Sequence, residues 1–314
     1  MNVVRVRHRL LKSIRKFFYR HDYLEVETSN LMKTSPPDPY IDPLKVYIGE
    51  RGPYYLHTSP EMGMKKLLAE GEEKIFQICK VYRIEEIEEV HSTEFTMLEW
   101  YRKGNYRDAM QEVEDLIKYI AKDIGLRKKE LVRKHYTVYT VEDIVLEKTG
   151  INPFELDRNG LCEAMERKGF AGIDECDTWN DLFFKLFLQE VETVIDRKAG
   201  PYFILDWPLS ISTMSKRKDD QKVERFELYI DGLEIANGYT ELLNREEQRE
   251  RFFHDNEVRA TLHKDVFEID ESFLEALQKI QGSYAGVSLG IDRLLMVLTG
   301  IHEIDGVISN RFKG

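Results

Sequence analysis

Apolar residues recur along the chain with two spacings, which predict helices that alternate with strands. Leu10, Ile14, Phe17 and Phe18 fall at positions i, i+4, i+7 and i+8, one stripe of an amphipathic helix. A second helix is predicted from Tyr106 to Ile124, with its apolar residues on one side. We expect both helices to pack an apolar face against the rest of the protein.

Period-two alternation and turn residues predict strands before and after a helical interruption. The pattern is mainly helical from about 140 to 198, so we expect a helical insertion in a single catalytic domain that covers 1–314. The predicted strands are Lys74 to Arg83, a run that begins at Phe95, Tyr202 to Leu205, Arg225 to Ile230, Leu233 to Ala236, and the run that enters Gly286.

The segment Thr58-Ser59-Pro60-Glu61 predicts the start of a helix, with Thr58 as its cap and proline in the first turn. Glu61 is therefore either a capping residue or a ligand. From Phe95 onward, alternation places Glu99 and Tyr101 on one face of a strand. Amid apolar neighbours, Glu99 would be desolvated unless a cation such as an ammonium group meets it. The alternative is an edge strand that points Glu99 into water.

Two arginines stand where an anion could be held. Arg83 shares a strand face with Glu85, and its guanidinium suits a phosphate or a carboxylate. Arg293 is predicted in the first turn of a helix from Ile291 to Leu298, where free amides and the helix dipole favour an anion. The alternative for Arg293 is an ion pair with Asp292 or another acid.

Asp231-Gly232 predicts a two-residue hairpin in which Glu227 pairs with Ala236. Glu227 and Glu234 then lie diagonally on one face, with β-carbons roughly 7 Å apart, a separation that Mg²⁺ bound to a nucleotide could bridge. The alternative is a pair of surface glutamates. The same parity places Asn237, Tyr239 and Glu241 on the opposite face, unless the chain bulges at Gly238.

Composition narrows the class of protein. The 314 residues are 42% hydrophobic and 33% charged, which is enough for one large core. The net charge of −11 argues against a nucleic acid as main partner and suits a cationic substrate. The spacing of the three cysteines suggests neither a disulfide framework nor a zinc site, which fits a reducing compartment. No apolar run is long enough for a membrane span, so we expect a cytoplasmic protein.

Taken in order, these segments resemble the catalytic core of class II lysyl-tRNA synthetases over nearly the whole chain. The resemblance is greatest to the stand-alone paralogues that modify elongation factor P. It rests on the Thr-Ser-Pro-Glu box, Tyr82-Arg83-Ile84-Glu85, the run from Glu94 to Glu99, Asn237-Gly238 with Glu241-Leu242, and Gly290-Ile291-Asp292-Arg293. It implies an α+β fold with an antiparallel sheet flanked by helices, a homodimer, and formation of an aminoacyl-adenylate.

The resemblance also implies roles for individual residues. Arg83 and Arg293 would be catalytic and hold phosphates, and Arg83 would also bind the substrate carboxylate. ATP would be bound by Arg83, Glu85, His91, Phe95, Glu234 and Arg293, with Mg²⁺ on Glu227 and Glu234. Lysine would be bound by Glu61, Arg83, Glu99, Tyr101, Asn237, Glu241 and Ser288.

The acceptor of the activated lysine is predicted from the lack of an N-terminal anticodon-binding domain in the sequence. The first predicted helix begins essentially at Met1, which leaves no room for an N-terminal anticodon-binding domain, so tRNA is an unlikely acceptor. The leading hypothesis is transfer of lysine, or of (R)-β-lysine, to a lysine side chain of elongation factor P. The alternatives are a truncated lysyl-tRNA synthetase-like enzyme and an inactive paralogue that binds or regulates another protein. Ala236 and Ser288 depart from the synthetase pattern, which has glycine at both positions, and Ser29 replaces a proline.

Overall fold

The computed structural model describes residues 2–84, 89–125, 129–132, 135–192 and 200–310. The helices are α1 (Val3–Arg20), α2 (Glu61–Ala69), α3 (Tyr106–Ile124), α4 (Val141–Thr149), α5 (Arg158–Arg167), α6 (Trp179–Phe187), α7 (Arg245–Thr261), α8 (Glu271–Leu277) and α9 (Ile291–Thr299). The strands are β1 (Leu24–Glu25), β2 (Leu31–Met32), β3 (Lys45–Ile48), β4 (Arg51–Leu56), β5 (Ile75–Tyr82), β6 (Glu94–Lys103), β7 (Thr137–Thr140), β8 (Tyr202–Leu205), β9 (Arg225–Ile230), β10 (Leu233–Thr240) and β11 (Tyr284–Gly290).

An eight-stranded sheet in the order β1-β5-β6-β11-β10-β9-β8-β7 carries the fold. Its six inner strands pair antiparallel, and the two edge strands β1 and β7 pair parallel with their neighbours. Strands β2, β4 and β3 form a separate small sheet. The antiparallel sheet flanked by helices is thus confirmed, and β6 lies inside the sheet rather than at its edge.

Helices α1, α3 and α9 cover one face of this sheet. The stripe predicted for the first helix is buried, and Phe18 stacks on Phe76 of β5 with ring centroids 4.7 Å apart. Leu98 and Trp100 of β6 point into the same core. Because side chains alternate along a strand, Phe95, Met97, Glu99 and Tyr101 point to the other face. One face of the sheet is therefore the main core, and the opposite face is available for a polar site.

Helices α4, α5 and α6 lie on the side of β8 and share a hydrophobic core with it. Leu182, Phe183 and Leu186 of α6 are buried against Ile204 and Tyr229. These helices fall within the predicted insertion, whose end at about 198 lies outside the described residues. The division of the chain into a domain with an insertion stays a prediction.

The start of α2 differs from its predicted form. Pro60 occupies the N-cap position without a capping side chain, and Ser59 Oγ accepts a hydrogen bond from the Glu61 amide at 3.0 Å. Thr58 is therefore not the cap. Its carbonyl instead accepts a hydrogen bond from Arg83 Nε at 3.2 Å, so the segment connects the helix to the neighbouring strand end.

The hairpin of β9 and β10 contains a bulge that the sequence pattern does not place. Leu233 pairs with Ile230 as predicted, but the register shifts between Glu234 and Ala236, so that Asn237 rather than Ala236 lies opposite Glu227. The predicted pairing is wrong by one residue. The extra residue reverses the alternation that follows it, so Asn237, Tyr239 and Glu241 lie on the same face as Glu227 and not on the opposite, predicted face.

No helix within the described ranges has the length and apolar character needed to cross a bilayer.

Gly238 provides a test of how tightly β10 is packed. A Cβ at this position would lie 2.6 Å from Phe226 Cζ and 2.9 Å from Val287 Cγ2. We expect Gly238→Ala to lower the free energy of unfolding by about 1–3 kcal/mol, because buried side chains on both neighbouring strands must move. Urea unfolding measures the change. Gly290→Ala is the control, since its Cβ would have only ordinary contacts, with Arg293 Cβ at 3.9 Å. Equal effects of the two substitutions would contradict this packing argument.

Candidate active site

A cleft opens on the face of the sheet opposite to α1 and α3. It lies over β6, β10 and β11, with α2 and the start of α9 at its sides. Most of the predicted site residues line it, namely Glu61, Arg83, His91, Phe95, Glu234, Asn237, Ser288 and Arg293. Glu99, Tyr101, Glu227 and Glu241 are buried in the same face of the sheet. Glu85 lies outside the described residues.

Arg83 follows the end of β5 and covers an aromatic ring. Its guanidinium carbon lies 5.2 Å from the centroid of the Phe95 ring, and its Nε donates to the Thr58 carbonyl. The alternation along β6 aims Phe95 into the cleft. Together they form a flat cationic and aromatic surface, which suits a phosphate next to a planar base.

Arg293 lies in the first turn of α9, as the sequence predicts. Its Nη1 donates to the Glu234 carbonyl at 3.2 Å, and its Nη2 lies 2.7 Å from His91 Nε2. The alternative pairing with Asp292 is wrong, because Asp292 accepts hydrogen bonds from Arg7 and from the Thr96 amide on the core side. The alternative of another acid is confirmed, because Arg293 Nη1 lies 3.7 Å from Glu234 Oε2. The guanidinium of Arg293 is thus directed into the cleft by neighbours on two elements.

Glu227 is buried in the centre of the sheet, so it is not the surface glutamate of the alternative interpretation. Its Oε1 accepts from Arg225 Nη2 at 2.5 Å and from Asn237 Nδ2 at 3.2 Å, and its Oε2 accepts from the Tyr229 hydroxyl at 2.8 Å. Burial and the nearby Glu234 carboxylate raise the pKa of Glu227 to about 8, although Arg225 opposes this shift. A further cation would stabilise both carboxylates.

The donor chemistry at this end of the cleft fits Mg²⁺. Hard cations prefer carboxylate and amide oxygens, and Asn237 Oδ1 is a buried acceptor without a hydrogen-bond partner among the described residues. Within those residues, no group of three or more acidic, histidine or cysteine side chains forms a complete metal cage. Two carboxylates are the usual protein share of a Mg²⁺ that also binds phosphates.

Glu99 is fully buried, and two hydroxyl groups hold it. Ser59 Oγ donates to its Oε2 and the Tyr101 hydroxyl donates to its Oε1, both at 2.7 Å. Burial, followed by repulsion from Glu61, raises the pKa of Glu99 to about 8. The alternative that Glu99 points to water is therefore wrong. Glu99 is instead a carboxylate whose ionised form needs a cation that the hydroxyl groups do not supply.

Glu61 and Glu241 share a buried lysine. Lys65 Nζ lies 2.6 Å from Glu61 Oε1 and 2.5 Å from Glu241 Oε2, and the Tyr239 hydroxyl donates to Glu61 Oε1 at 2.6 Å. Burial raises the pKa of Glu241 to about 8 even though Lys65 opposes this shift. Together with Glu99, these side chains form an acidic cluster at the end of the cleft, defined here as Glu61, Glu99, Glu241 and Lys65.

Sequence reasoning missed four side chains of this site, which are Ser59, Lys65, Arg225 and Tyr239. Two of them carried a usable signal. Lys65 is four residues after Glu61 on one helix face, and Arg225 is two residues before Glu227 on one strand face. Tyr239 was assigned to the wrong face because of the bulge in β10.

The chain was compared with known proteins. A family model described as tRNA synthetases class II (D, K and N) matches residues 1–310. A protein from Avibacterium paragallinarum is 36% identical over 312 residues, which cover 96% of this chain and 93% of the relative. Proteins from Haemophilus influenzae (strain PittGG) and Pectobacterium carotovorum subsp. carotovorum (strain PC1) are 37% and 35% identical, over 96% of this chain and 93% and 92% of the relatives. All three relatives are named elongation factor P (R)-β-lysine ligase.

The raised pKa values predict an unusual dependence of stability on pH. Between the ordinary glutamate pKa of 4.5 and about 8, the folded protein holds protons at Glu99 and Glu241 that the unfolded chain has released. The free energy of unfolding should therefore fall as the pH rises through this window, by up to about 1.4 kcal/mol per pH unit for each proton.

Glu99→Gln should make this slope shallower and raise stability at pH 8, because the amide needs no proton to stay neutral. Urea unfolding at several pH values measures both effects. Glu94→Gln, on the same strand but exposed, is the matched control. A slope that Glu99→Gln leaves unchanged would show that Glu99 does not hold the proton.

Proposed function

Because the chain belongs to the class II tRNA synthetase family of the D, K and N type, we propose that its cleft activates lysine with ATP and passes it on. It is an ATP-dependent ligase, and the substrate we propose is (R)-β-lysine, with a lysine side chain of elongation factor P as the acceptor. The observation that carries the proposal is the polarity of the cleft. Arg293 lies beside Glu234 at the start of β10, and the acidic cluster lies at the other end of that strand, where Glu241 follows it.

The acidic cluster suits a substrate with two ammonium groups. Glu61 lines the cleft and would meet the backbone-like amine, while Glu99 and Glu241 would bind the side-chain ammonium. An ammonium group that enters this cluster neutralises carboxylates that burial otherwise keeps protonated. Tyr101 and Asn237 would complete the contacts, and Ser288, opposite Glu99 in β11, would limit the space beside them.

The arginine end suits the nucleotide and the reacting groups. Arg83 would bind the substrate carboxylate and the α-phosphate together, so that a carboxylate oxygen can attack the α-phosphorus in line with the departing pyrophosphate. Arg293 would hold the γ-phosphate, with His91 beside it at 2.7 Å, and Phe95 would stack on adenine. Such chemistry depends on positioning and on neutralisation of phosphate charge more than on a general base.

Glu227 and Glu234 would hold Mg²⁺, with Asn237 Oδ1 as a further oxygen next to them. The ion would supply positive charge to the nucleotide phosphates when it is bound. The protein contributes a fixed position, because Arg225, Tyr229 and Asn237 hold Glu227 through hydrogen bonds.

In the second step, the acceptor amine would attack the acyl carbon of the adenylate and AMP would leave. The attacking amine must arrive without its proton, since an ammonium group has no lone pair to donate. We also propose that the chain works as a homodimer in the cytoplasm. Tyr19 of α1 and Leu24 of β1 are exposed apolar side chains near each other in the chain, which supports a partner surface there.

The decisive experiment follows both steps separately. ATP–pyrophosphate exchange with α-lysine and with (R)-β-lysine tests activation, and transfer to elongation factor P or to tRNA tests the acceptor. We expect exchange with at least one lysine isomer and transfer to the protein. The absence of exchange with either amino acid would refute the ligase, and preferential charging of tRNA would replace the proposed acceptor.

Arg293→Ala should lower kcat/KM for pyrophosphate exchange by about 10²–10³-fold, because it removes a positioned positive charge from the phosphates. Arg102→Ala is the matched control, since Arg102 lies at the partly exposed end of β6, outside the cleft. An equal loss in both variants would indicate a general structural defect.

Norleucine, which lacks the side-chain amine, should be rejected relative to the preferred lysine isomer by about 10⁴-fold in kcat/KM, since it leaves Glu99 and Glu241 without a cation. Exchange assays with both amino acids measure the ratio. Discrimination below about 10-fold would mean that these two carboxylates do not contact the side chain.

A further inference from the structure

Lys65 is a fully buried lysine that belongs to neither the apolar core nor the solvent. It lies on the second turn of α2, and its ammonium group reaches both Glu61 and Glu241. Met214 Sδ lies 3.8 Å from it, and the Tyr239 and Phe273 rings flank it with centroids 5.8 and 5.9 Å away. A buried ammonium is tolerated only when carboxylates compensate for the lost hydration, and two of them do so here.

The charges around Lys65 are uneven. The acidic cluster contains three carboxylates and one ammonium group, so its fully ionised form has two negative charges in excess. The neighbouring Tyr101 and Tyr239 contribute neutral hydroxyl groups that donate to Glu99 and Glu61. An amino acid with two amines carries two ammonium groups, which equal this excess.

The cluster also contains an acceptor oxygen to which no donor is paired among the described residues. Glu241 contacts Lys65 through Oε2, whereas its Oε1 is buried and has no hydrogen-bond partner among the described residues. The hydroxyl groups on Glu99 cannot compensate for its charge. A cation that enters beside Glu99 and Glu241 therefore finds an acceptor oxygen that Lys65 has oriented without occupying it.

We propose that Lys65 is a positioning and specificity-determining residue. It acts as a resident counterion that fixes Glu61 and Glu241 and sets the excess charge of the pocket to match a diamino acid substrate. Lys65 is buried behind the residues that line the cleft, so it would act through the two glutamates rather than on the substrate directly. This inference rests on the proposed function, because it deepens the account of the same pocket.

Removal of the lysine charge should unbalance the occupied pocket. With Lys65→Met, the excess becomes three negative charges, which two substrate ammonium groups cannot balance. One carboxylate must then keep a proton in the complex as well as in the empty pocket, so it no longer acts as a fixed anion and the affinity falls. If Lys65 had only a structural role, a neutral molecule of similar size would replace its side chain as well as an ammonium ion does.

The test is calorimetric titration of the folded enzyme with α-lysine and with (R)-β-lysine. Lys65→Met should weaken binding of the preferred isomer by at least about 100-fold. The matched control is Lys66→Met. Lys66 is the next residue of α2, but it pairs with Asp270 at 2.8 Å on the surface. Its loss should change affinity less than about threefold.

Two further variants keep the test valid if Lys65→Met folds poorly. Lys65→Met combined with Glu241→Gln restores the excess of two charges and should bind the preferred isomer more tightly than Lys65→Met alone. Lys65→Ala leaves space for a small amine, and ethylammonium should restore at least about tenfold in affinity, whereas ethanol of similar size should not.

The outcomes separate the two proposals. If the unmodified enzyme binds neither lysine isomer, the proposed function is wrong. If it binds one, but Lys65→Met binds with the same affinity, the proposed function stands and the role of Lys65 is refuted. Equal rescue by ethylammonium and ethanol would also refute it, because the ammonium charge would then be irrelevant.

Discussion

The burial of carboxylates on one face of a central sheet is the constraint on which this structure depends. A carboxylate removed from water loses hydration energy that only a cation or several hydrogen bonds can replace. The protein supplies partial replacements. Arg225 compensates Glu227 at one end of the cleft, and Lys65 compensates Glu61 and Glu241 at the other. The acidic cluster remains short of positive charge, which favours a cationic ligand there.

The fold makes this arrangement possible because one face of the sheet packs into the apolar core and the other face lines the cleft. Side chains of β6 alternate between an apolar core and the cleft, so Trp100 packs under α1 while Glu99 and Tyr101 point the other way. Space on the cleft face is limited. A Cβ at Gly286 would overlap with both the Glu241 carboxylate and the Tyr101 ring. Glycine at this position of β11 is thus a requirement of the buried acid beside it.

Local patterns predicted the elements of this fold well. The apolar stripe and terminal glycine fixed Tyr106–Ile124, and Asp231-Gly232 fixed the hairpin turn at positive φ. These features depend on residues close in sequence, whose geometry is set by a single helix or turn. The family resemblance supplied what local patterns leave open, which is how distant strands come together in one sheet.

The errors have a common physical origin. The bulge between Glu234 and Ala236 depends on how β10 pairs with two strands at once, and no local residue pattern marks it. It reverses the parity of Asn237 and brings it to Glu227. Thr58 has the composition of a helix cap, but a neighbouring strand competes for the segment. The spacing of Lys65 from Glu61 indicates one of its partners, but only the fold brings Glu241, distant in sequence, against it.

Charge alone cannot decide between the two lysine isomers. α-Lysine and (R)-β-lysine carry the same two ammonium groups and one carboxylate, so both match the excess charge of the acidic cluster. They differ in the position of one amine by a single carbon–carbon bond, about 1.5 Å. In the proposed binding mode Arg83 would hold the carboxylate, and Glu99 and Glu241 would hold the side-chain ammonium, so that shift would be absorbed near the middle of the cleft. Ser288 lines the cleft opposite Asn237 in the sheet, whereas the Ala236 side chain packs in the main core. In the proposed binding mode, electrostatics would therefore select a diamino acid, and the shape of the pocket around Ser288 would select the isomer.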